Sequence, residues 1–283
     1  MQTTNYHMHS RYCDGNGNIE DFVQAAANFG FTSIGTSGHA PVPFANNYAI
    51  KPEQLSEYVA EVEQLKEMYR EETELYMGLE VDVISGLQQH FTETILPYHF
   101  DYFIGSVHFI GVHPQTNLPW EFDAGADNFE WGWKELYGQN IKKMAEEFYT
   151  AERLVPNFIP GIFIAGHMDR IKRFNIGQKY FNETDSWYRD LVFDTLSAFA
   201  QTDIIVELNT AGWRNPIGDA YPSDWICKRC FELGIPMHIN TDAHKTDQLR
   251  ADYSRGAHRL LKAGYTEVLA LRNGVWTPDL LKE

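Results

Sequence analysis

Short apolar segments typical of β-strands alternate about seven times with amphipathic helical segments along this chain of 283 residues. The first helical segment runs from Ile19 to Phe29, where Asn18 suits the amino-terminal cap and Gly30 suits the carboxyl end. The sequence shows no internal repeat, low-complexity stretch or linker. Alternating strands and helices form parallel sheets, and at this length they predict one (β/α) barrel domain over residues 1–283.

The remaining elements follow from the same periodicities. Strands are predicted over 33–37, 74–83, 101–109, 162–167, 204–209 and 236–241, and helices over 53–72, 138–154, 187–201, 222–233, 246–263 and 277–282. Residues 110–136 differ, because they combine Gly, Pro, Asn and Asp with Trp120, Trp131 and Trp133. A long connection of this kind is often a lid or a binding loop, and it equally suits a satellite core over the barrel edge.

Acidic residues dominate the charge, since 39 Asp and Glu against 23 Lys and Arg give a formal net charge of −16. Such a surface repels phosphate backbones and the sequence has no basic run, so nucleic acid is not an expected partner. No apolar run reaches the about 18 residues of a membrane helix, and no signal-peptide pattern is evident. The three cysteines favour a reducing compartment, so we expect a cytoplasmic protein without a disulfide framework.

Two of the cysteines form the pair Cys227-x-x-Cys230, a spacing that occurs in redox and zinc sites. The pair lies within a helical pattern that ends at Gly234, and the sequence has no second cysteine pair to complete a zinc site. We therefore interpret both thiols as structural side chains of a helix.

Histidines and carboxylates gather at predicted strand ends. His7 and His9 project to the same side of an extended first strand, so both can bind one metal ion. Asp14 follows in the first loop. The others lie at or just past the carboxyl end of a strand, where active sites of (β/α) barrels form: His39, Glu80, His108, His167, Asp242 and His244. These six imidazoles and three carboxylates exceed the needs of one or two ions, and they predict three.

The other histidines do not share this placement. They lie in predicted helices, in loops or within a strand, and we interpret them as structural or exposed: His90, His99, His113, His238 and His258. An isolated His-x-His would also suit a polar strand face without any metal. The repeated placement at strand ends makes a metal centre the better interpretation.

The motifs that contain these residues resemble those of a known family. In chain order they are His7-x-His9, Asp14, Gly38-His39, Gly78-x-Glu80, Ser106-x-His108, Gly166-His167 and Thr241-Asp242-Ala243-His244. This set resembles the PHP family, named for polymerase and histidinol phosphatase, over nearly the whole chain. The resemblance implies the PHP fold, a distorted (β/α)7 TIM-like barrel. The segments 166–174 and 208–214 resemble its phosphatase branch, whereas the long Trp-rich segment before Leu136 departs from the pattern.

The resemblance also implies a trinuclear centre of divalent transition-metal ions. The implied ligands are His7, His9, Glu80 and Asp242 for the first ion, Glu80, His108 and His167 for the second, and Asp14, His39 and His244 for the third. Zinc, iron and manganese accept such mixed imidazole and carboxylate ligands. Two close ions would convert a bridging water into a hydroxide nucleophile, with Glu80, Asp242 and His244 as catalytic residues.

For the substrate, the resemblance implies a small phosphomonoester, L-histidinol phosphate, cleaved to L-histidinol and inorganic phosphate in histidine biosynthesis. Arg173 and Arg214 lie just beyond strand ends in the two phosphatase-like segments, and arginine suits a bidentate grip on phosphate. Either could instead be a surface cation, and Arg170 and Lys172 are weaker candidates. The sequence leaves open a related small ester, the residues that recognise the imidazole, and the oligomeric state.

Three other classes of protein compete with this interpretation. Metal-dependent amidohydrolases also begin with His-x-His, but they typically bridge their ions with a lysine, a role that here falls to Glu80. The exonuclease side of the PHP family, which acts on nucleic-acid ends, is disfavoured by the acidic surface. A scaffold with a dead metal site would have lost ligands, whereas all nine are present.

Overall fold

The computed structural model describes residues 4–281, within which seven parallel strands form a nearly closed barrel. The strands of these residues are β1 (Thr4–Asn5), β2 (Ser33–Thr36), β3 (Glu74–Asp82), β4 (Tyr102–Ser106), β5 (Phe109–Val112), β6 (Pro119–Glu121), β7 (Ile162–Ala165), β8 (Ile205–Asn209), β9 (Met237–Asn240), β10 (Glu267–Arg272) and β11 (Val275–Leu280). The barrel order is β1-β2-β3-β4-β7-β8-β9, with every pair parallel. The predicted (β/α)7 TIM-like barrel is confirmed.

Helices connect most of these strands. Those of the described residues are α1 (Ile19–Phe29), α2 (Leu55–Tyr69), α3 (Gln88–Ile95), α4 (Ala126–Glu135), α5 (Ile141–Glu152), α6 (Ser186–Phe199), α7 (Asp224–Glu232) and α8 (Tyr253–Ala263). Helix α1 has its predicted bounds, because Asn18 and Asp21 form a capping box and Gly30 takes a left-handed conformation at φ 74°.

The barrel closes between its first and last strands, just beyond the strands themselves. Met8 forms a parallel bridge with Ala243, whose backbone N–H donates to His7 O at 3.1 Å and whose carbonyl accepts from His9 N at 2.8 Å. Strand β1 itself is shorter than predicted, so His7 and His9 lie past its end. This seam carries ligand candidates from both ends of the chain.

One aromatic ring of the cluster that fills the barrel interior packs closely against the backbone of the sheet. Tyr102 is fully buried, and its hydroxyl lies 2.6 Å from Tyr6 O and 2.7 Å from Thr36 O. Gly35 and Gly78 face this ring, and a Cβ at either position would collide with it. The two glycines are therefore needed for close approach of the ring to the sheet.

The carboxyl end of the chain corrects one prediction, because the described part of the helix predicted over 277–282 is not helical. Residues 277–280 belong to β11, which pairs antiparallel with β10, and residue 282 lies outside the described residues. Asn273 and Gly274 form the two-residue turn, both with positive φ, 49° and 73°, as a type I′ hairpin requires. Leu271 packs into the amino-terminal end of the barrel, where its backbone N–H donates to the Tyr6 hydroxyl at 2.7 Å.

The Trp-rich segment also has regular structure. Strands β5 and β6 form an antiparallel hairpin, and α4 follows it. Trp120, Phe122 and Phe129 are buried and belong to the main core, so the segment packs against the barrel as a core element. The segment also reaches the functional site described below, so the two interpretations of it are compatible.

Candidate metal centre

The nine predicted ligands converge at the carboxyl end of the barrel. Their donor atoms form overlapping groups of three in which all atoms lie within 4.8 Å of one another: His7/His9/Asp242, His9/His39/Glu80, His9/Asp14/His244 and Glu80/His108/His167. A further group joins Asp82, which the sequence did not single out, to His39 and His108. The geometry therefore brings every predicted ligand into one cluster.

Glu80 lies at the middle of this cluster. It is 1% exposed, at the carboxyl end of β3, and its two oxygens face different sets of imidazoles. The distances from Oε2 are 3.2 Å to His7 Nε2, 3.4 Å to His9 Nε2 and 3.3 Å to His39 Nδ1, and those from Oε1 are 3.1 Å to His167 Nε2 and 3.7 Å to His108 Nε2. A carboxylate divided in this way has the geometry of a bridge between two ions.

The remaining carboxylates lie on the side of the cluster toward the mouth of the site. Asp242 Oδ1 is 3.2 Å from His9 Nε2 and 3.5 Å from His244 Nδ1. Asp14 Oδ2 is 3.3 Å from His244 Nε2, while its Oδ1 is 3.8 Å from His39 Nε2. The residues of the expected third ion, Asp14, His39 and His244, are thus neighbours, with His9 beside them.

The chemistry of these donors fits divalent metal ions. The buried Nε2 atoms of His7 and His9 and Nδ1 of His39 have no hydrogen-bond partner within the described residues. Nε2 of His108 and Nε2 of His167 face each other at 3.3 Å. Buried polar atoms normally find partners, and ring nitrogens directed at one another and at carboxylates are the arrangement that cations between them would satisfy.

Two buried carboxylates orient the rings. His7 Nδ1 donates to Glu207 Oε1 at 2.6 Å, and His108 Nδ1 donates to Asp82 Oδ1 at 2.7 Å. Each bond places the proton on Nδ1 and leaves Nε2 free to bind a metal ion, which is the usual role of such partners. Neither carboxylate was predicted as a site residue, although Asp82 lies two residues after Glu80 and Glu207 lies on a predicted strand.

The electrostatics explain why the cluster needs positive charge. Burial acts to raise the pKa of Glu80, but the imidazoles around it, His7 foremost, hold it well below its usual range. The pKa of Asp242 is held low in the same way. Burial lowers the pKa of His39 to about 4, whereas for His108 the Glu80 carboxylate overcomes burial and raises the pKa to about 9. Ionised carboxylates packed this closely are stabilised by cations.

Two of the nine residues have left-handed backbone conformations. Asp242 has φ 49° and His167 has φ 23°, and neither is a glycine. Such conformations cost about 1–3 kcal/mol each and persist where the surrounding structure fixes them, often at functional sites. Here they turn the chain at the ends of β9 and β7, so that both side chains enter the cluster.

The cluster opens into a cavity of about 420 Å³. Seven of the nine side chains line it, while His7 and His9 are buried, 0% and 1% exposed. Arg173, Arg214 and Arg170 also line it. Three guanidinium groups beside a metal-binding cluster form a suitable receptor for a phosphate group.

One buried carboxylate holds two of these arginines. Asp123 Oδ2 accepts from Arg170 Nε and, at 3.2 Å, from Arg173 Nη1. Arg170 Nη1 is also 3.7 Å from Asp242 Oδ2. Although burial acts to raise the pKa of Asp123, these cations, Arg170 foremost, hold it well below its usual range. The weaker sequence candidate Arg170 therefore contacts the cluster through Asp242 and shares Asp123 with Arg173.

The other two basic candidates differ from each other. Arg214 Nη2 donates to Thr241 O at 2.5 Å, next to the ligand candidate Asp242. Lys172 does not line the cavity, because it is fully buried and pairs with Asp169 at 2.9 Å and Asp219 at 3.1 Å. Lys172 is therefore a structural cation.

The Trp-rich segment supplies part of the cavity wall. Glu121, Asp123 and Ala124 line it, together with Phe109 at the start of the hairpin and Tyr48 from the β2–α2 connection. Burial, followed by repulsion from Asp123, raises the pKa of Glu121 to about 7. Glu121 and Asp123 were not predicted as site residues, because their place in the cavity depends on how the hairpin folds back over the barrel.

Residues interpreted as structural lie away from the cluster. His238 Nδ1 donates to Leu269 O at 2.5 Å, and His90 Nε2 contacts Pro41 O at 3.0 Å. Cys227 and Cys230 are buried in α7, and burial raises the pKa of Cys227 to about 12, so it is a neutral thiol. These observations agree with a structural role for all four side chains.

The chain is similar in sequence to a known family and to several of its members. The PHP domain model matches residues 5–211, and the chain therefore belongs to the PHP domain family. It is 27% identical to the histidinol-phosphatase of Bacillus subtilis over 89% of this chain and 97% of that one. It is 26% identical to a probable histidinol-phosphatase of Deinococcus radiodurans over 86% of each.

A solved structure has the same barrel. Histidinol phosphate phosphatase of Lactococcus lactis, complexed with zinc, L-histidinol and phosphate, matches with a TM-score of 0.73 and 22% identity, over 97% of this chain and 98% of that one. At this identity the likeness establishes the fold. Within residues 4–281, none of the helices is both long and apolar enough to cross a membrane.

Proposed function

We propose that this protein is a metal-dependent phosphomonoesterase that hydrolyses L-histidinol phosphate to L-histidinol and inorganic phosphate. The observation that carries the proposal is the carboxylate of Glu80 among five imidazoles, beside a cavity with three arginines. Membership of the PHP family and the names of the relatives support the same reaction. Residues 1–283 would act as one domain, consistent with the contact of Leu271 with Tyr6 in the barrel.

The proposed centre contains three divalent ions, either zinc, iron or manganese. The proposed ligands are the nine residues of the cluster: His7, His9, Asp14, His39, Glu80, His108, His167, Asp242 and His244. When bound, ions in such positions supply Lewis-acid charge and a strong nucleophile derived from water at neutral pH. Their presence would also satisfy the ring nitrogens that have no hydrogen-bond partner within residues 4–281.

The protein's own groups position the reactants. Glu80, Asp242 and His244 would touch the ions directly and set where they lie. His244 Nδ1 donates to Asp242 O at 3.0 Å, which directs Nε2 toward Asp14 at the mouth of the site. A phosphate group in the cavity would lie within reach of Arg173 and Arg214, with fixed positive charge to bind its oxygens.

Phosphate release from a panel of esters tests the proposal. L-histidinol phosphate should be hydrolysed with kcat/KM at least about 10²-fold above that of p-nitrophenyl phosphate, because binding of the remote amine and imidazole assists the reacting centre. Equal values for the two esters would contradict the substrate assignment. Faster cleavage of single-stranded DNA than of either ester would place the chain with nucleic-acid enzymes instead.

A further inference from the structure

A short 3₁₀ helix at Arg170–Lys172 follows the ligand candidate His167 and carries basic side chains on two sides. Arg170 and Arg173 line the metal cavity. Lys172 faces away from it, since it is fully buried and is not among the described residues that line the cavity. The same few residues therefore bear two cations that face the proposed phosphate site and one that faces the protein interior.

The Lys172 ammonium group connects this turn to a second segment of the chain. Its Nζ lies 2.9 Å from Asp169 Oδ2 within the first turn, and it donates to Asp219 Oδ2 at 3.1 Å and to Ala220 O at 2.9 Å. Burial acts to lower the pKa of Lys172, but the carboxylates around it, Asp169 foremost, hold it above its usual range. A buried charge with these partners is costly to displace, so it holds the two segments together.

The second segment is packed against the turn that carries Arg214. Asn209 N, at the start of that turn, donates to Tyr221 O at 2.6 Å. A Cβ at Gly212 would lie 2.1 Å from Asp219 O, so this approach requires glycine. The 3₁₀ helix that ends at Arg214 is therefore fixed against the segment that Lys172 holds.

Asp219 is shared between two cations. Its Oδ2 accepts from Lys172, and its Oδ1 accepts from Arg259 Nη2 at 2.5 Å. Arg259 belongs to α8 and lies 4.9 Å from the centre of the Trp213 ring, and Trp213 directly precedes Arg214. One half-buried carboxylate therefore connects the turn of Lys172 with the turn of Arg214.

We infer that Lys172 and Asp219 are positioning residues for phosphate binding: their ion pair sets the distance between the turn of Arg170 and Arg173 and the turn of Arg214. This inference rests on the proposed phosphatase function and deepens it. Neither Lys172 nor Asp219 would touch the substrate. Both would act through guanidinium groups that must be correctly spaced to bind one phosphate together.

The metal-loaded Asp219→Asn protein tests the inference. Lys172 is the less useful position to change, because its loss would leave the buried Asp169 carboxylate unpaired. The two cations face different oxygens of Asp219, so an amide there would present its oxygen to one and its NH₂ to the other. Removing a negative charge near the arginines would by itself strengthen the binding of an anion, whereas displaced arginines would weaken it. The sign of the change therefore separates repositioning from direct electrostatics.

The expected result is weaker phosphate binding in Asp219→Asn. The dissociation constant of inorganic phosphate, measured by calorimetry, should rise at least about fivefold, because the arginines are displaced. KM for L-histidinol phosphate should rise by a similar factor while kcat changes by less than about twofold. The number of bound metal ions should stay as in wild type. In an Arg214→Ala background, Asp219→Asn should weaken phosphate binding further by less than about twofold, because the spacing of the two turns then no longer matters.

Asp279→Asn is the matched control. The Asp279 side chain is 27% exposed against 34% for Asp219, and it also pairs with an arginine, Arg272, at 2.8 Å. It lies on β11, in the hairpin at the amino-terminal end of the barrel. The control makes the same chemical change and loses an ion pair as well, so it should leave phosphate binding and all rates as in wild type. Thermal unfolding establishes that both variants are folded.

The outcomes separate this inference from the proposed function. Phosphate binding that is unchanged or stronger in Asp219→Asn would overturn the inference and leave the phosphatase intact. An equal loss in the wild-type and Arg214→Ala backgrounds would also overturn it, because Asp219 would then act independently of that arginine. So would a loss of metal ions, or the same loss of phosphate binding in the control. A wild-type protein that neither binds phosphate nor hydrolyses either ester would refute the proposed function and this inference together.

Discussion

Replacing Glu207 by glutamine should weaken metal binding although Glu207 touches no ion in the proposed centre. The Glu207 carboxylate makes four hydrogen bonds and is the acceptor in each of them. Oε1 accepts from His7 Nδ1 at 2.6 Å and Asn240 Nδ2 at 3.0 Å, and Oε2 accepts from His167 N at 3.0 Å and Asn209 Nδ2 at 2.9 Å. In either orientation, the amide NH₂ of glutamine would face two donors and bind neither.

The expected magnitudes follow from this count. Two buried donors left without an acceptor cost about 1–3 kcal/mol each, so the free energy of unfolding should fall by about 2–4 kcal/mol, with some relaxation included. His7 would also lose the partner that keeps its proton on Nδ1. Loss of such a partner typically lowers metal affinity about 10- to 100-fold. We expect this range for Glu207→Gln, measured by competition with a chelator of known affinity.

Glu152 offers the matched control. It is also fully buried, but neither of its oxygens has a hydrogen-bond partner within the described residues, and burial raises its pKa well above the usual range. Burial therefore favours the neutral form of this carboxyl group, and Glu152→Gln should change stability by less than about 1 kcal/mol and leave metal affinity intact. A Glu207→Gln protein that unfolds and binds metal like wild type would refute the reasoning.

Three further predictions concern the ions and the residues around them. The purified protein should contain two to three transition-metal ions per chain. Chelation should abolish activity, and zinc, manganese or iron should restore it. A fully active enzyme with one ion or none would refute the trinuclear centre. Glu80→Ala and Asp242→Ala should each lower kcat by at least about 10³-fold, whereas the control His90→Ala should leave kcat unchanged. Near-normal turnover of a metal-loaded Glu80→Ala protein would show that Glu80 does not bridge two ions. Arg173→Ala and Arg214→Ala should each weaken inhibition by inorganic phosphate by about 2 kcal/mol, and unchanged inhibition constants would remove them from the phosphate site.

The sequence predicted the barrel and the convergence of the ligands because both depend on local order. A residue at the carboxyl end of a parallel strand meets its counterparts at one edge whatever the details of packing, so Glu80, His167 and Asp242 could be placed together. Their partners were harder to predict. Asp82 and Glu207 are single carboxylates on strands, and only the packed barrel shows which ring each one holds.

Two features of the structure were not predicted from the sequence, and the reasons differ. The hairpin of β10 and β11 was not predicted, since a helix was expected over 277–282, although Asn273-Gly274 is a strong local turn signal. Pro278 lies in the last described strand, where a proline is tolerated. Glu121 and Asp123 could not be predicted as cavity residues. Their positions depend on how a separate hairpin packs on the barrel, which has no local sequence signature.

Because the barrel closes at Met8 and Ala243, between ligands from both ends of the chain, metal binding and closure of the barrel are coupled. Residues that meet there are far apart in sequence, as in the Asn5–Thr241 contact across 236 positions, so joining them requires closing a loop of nearly the entire polypeptide. His7 and His9 lie on one side of this junction and Asp242 and His244 on the other. Ions bound by residues from both sides would hold the first and last strands of the barrel together. Without them, the backbone amides of His9 and Ala243 should be among the first in the barrel to exchange with solvent deuterium.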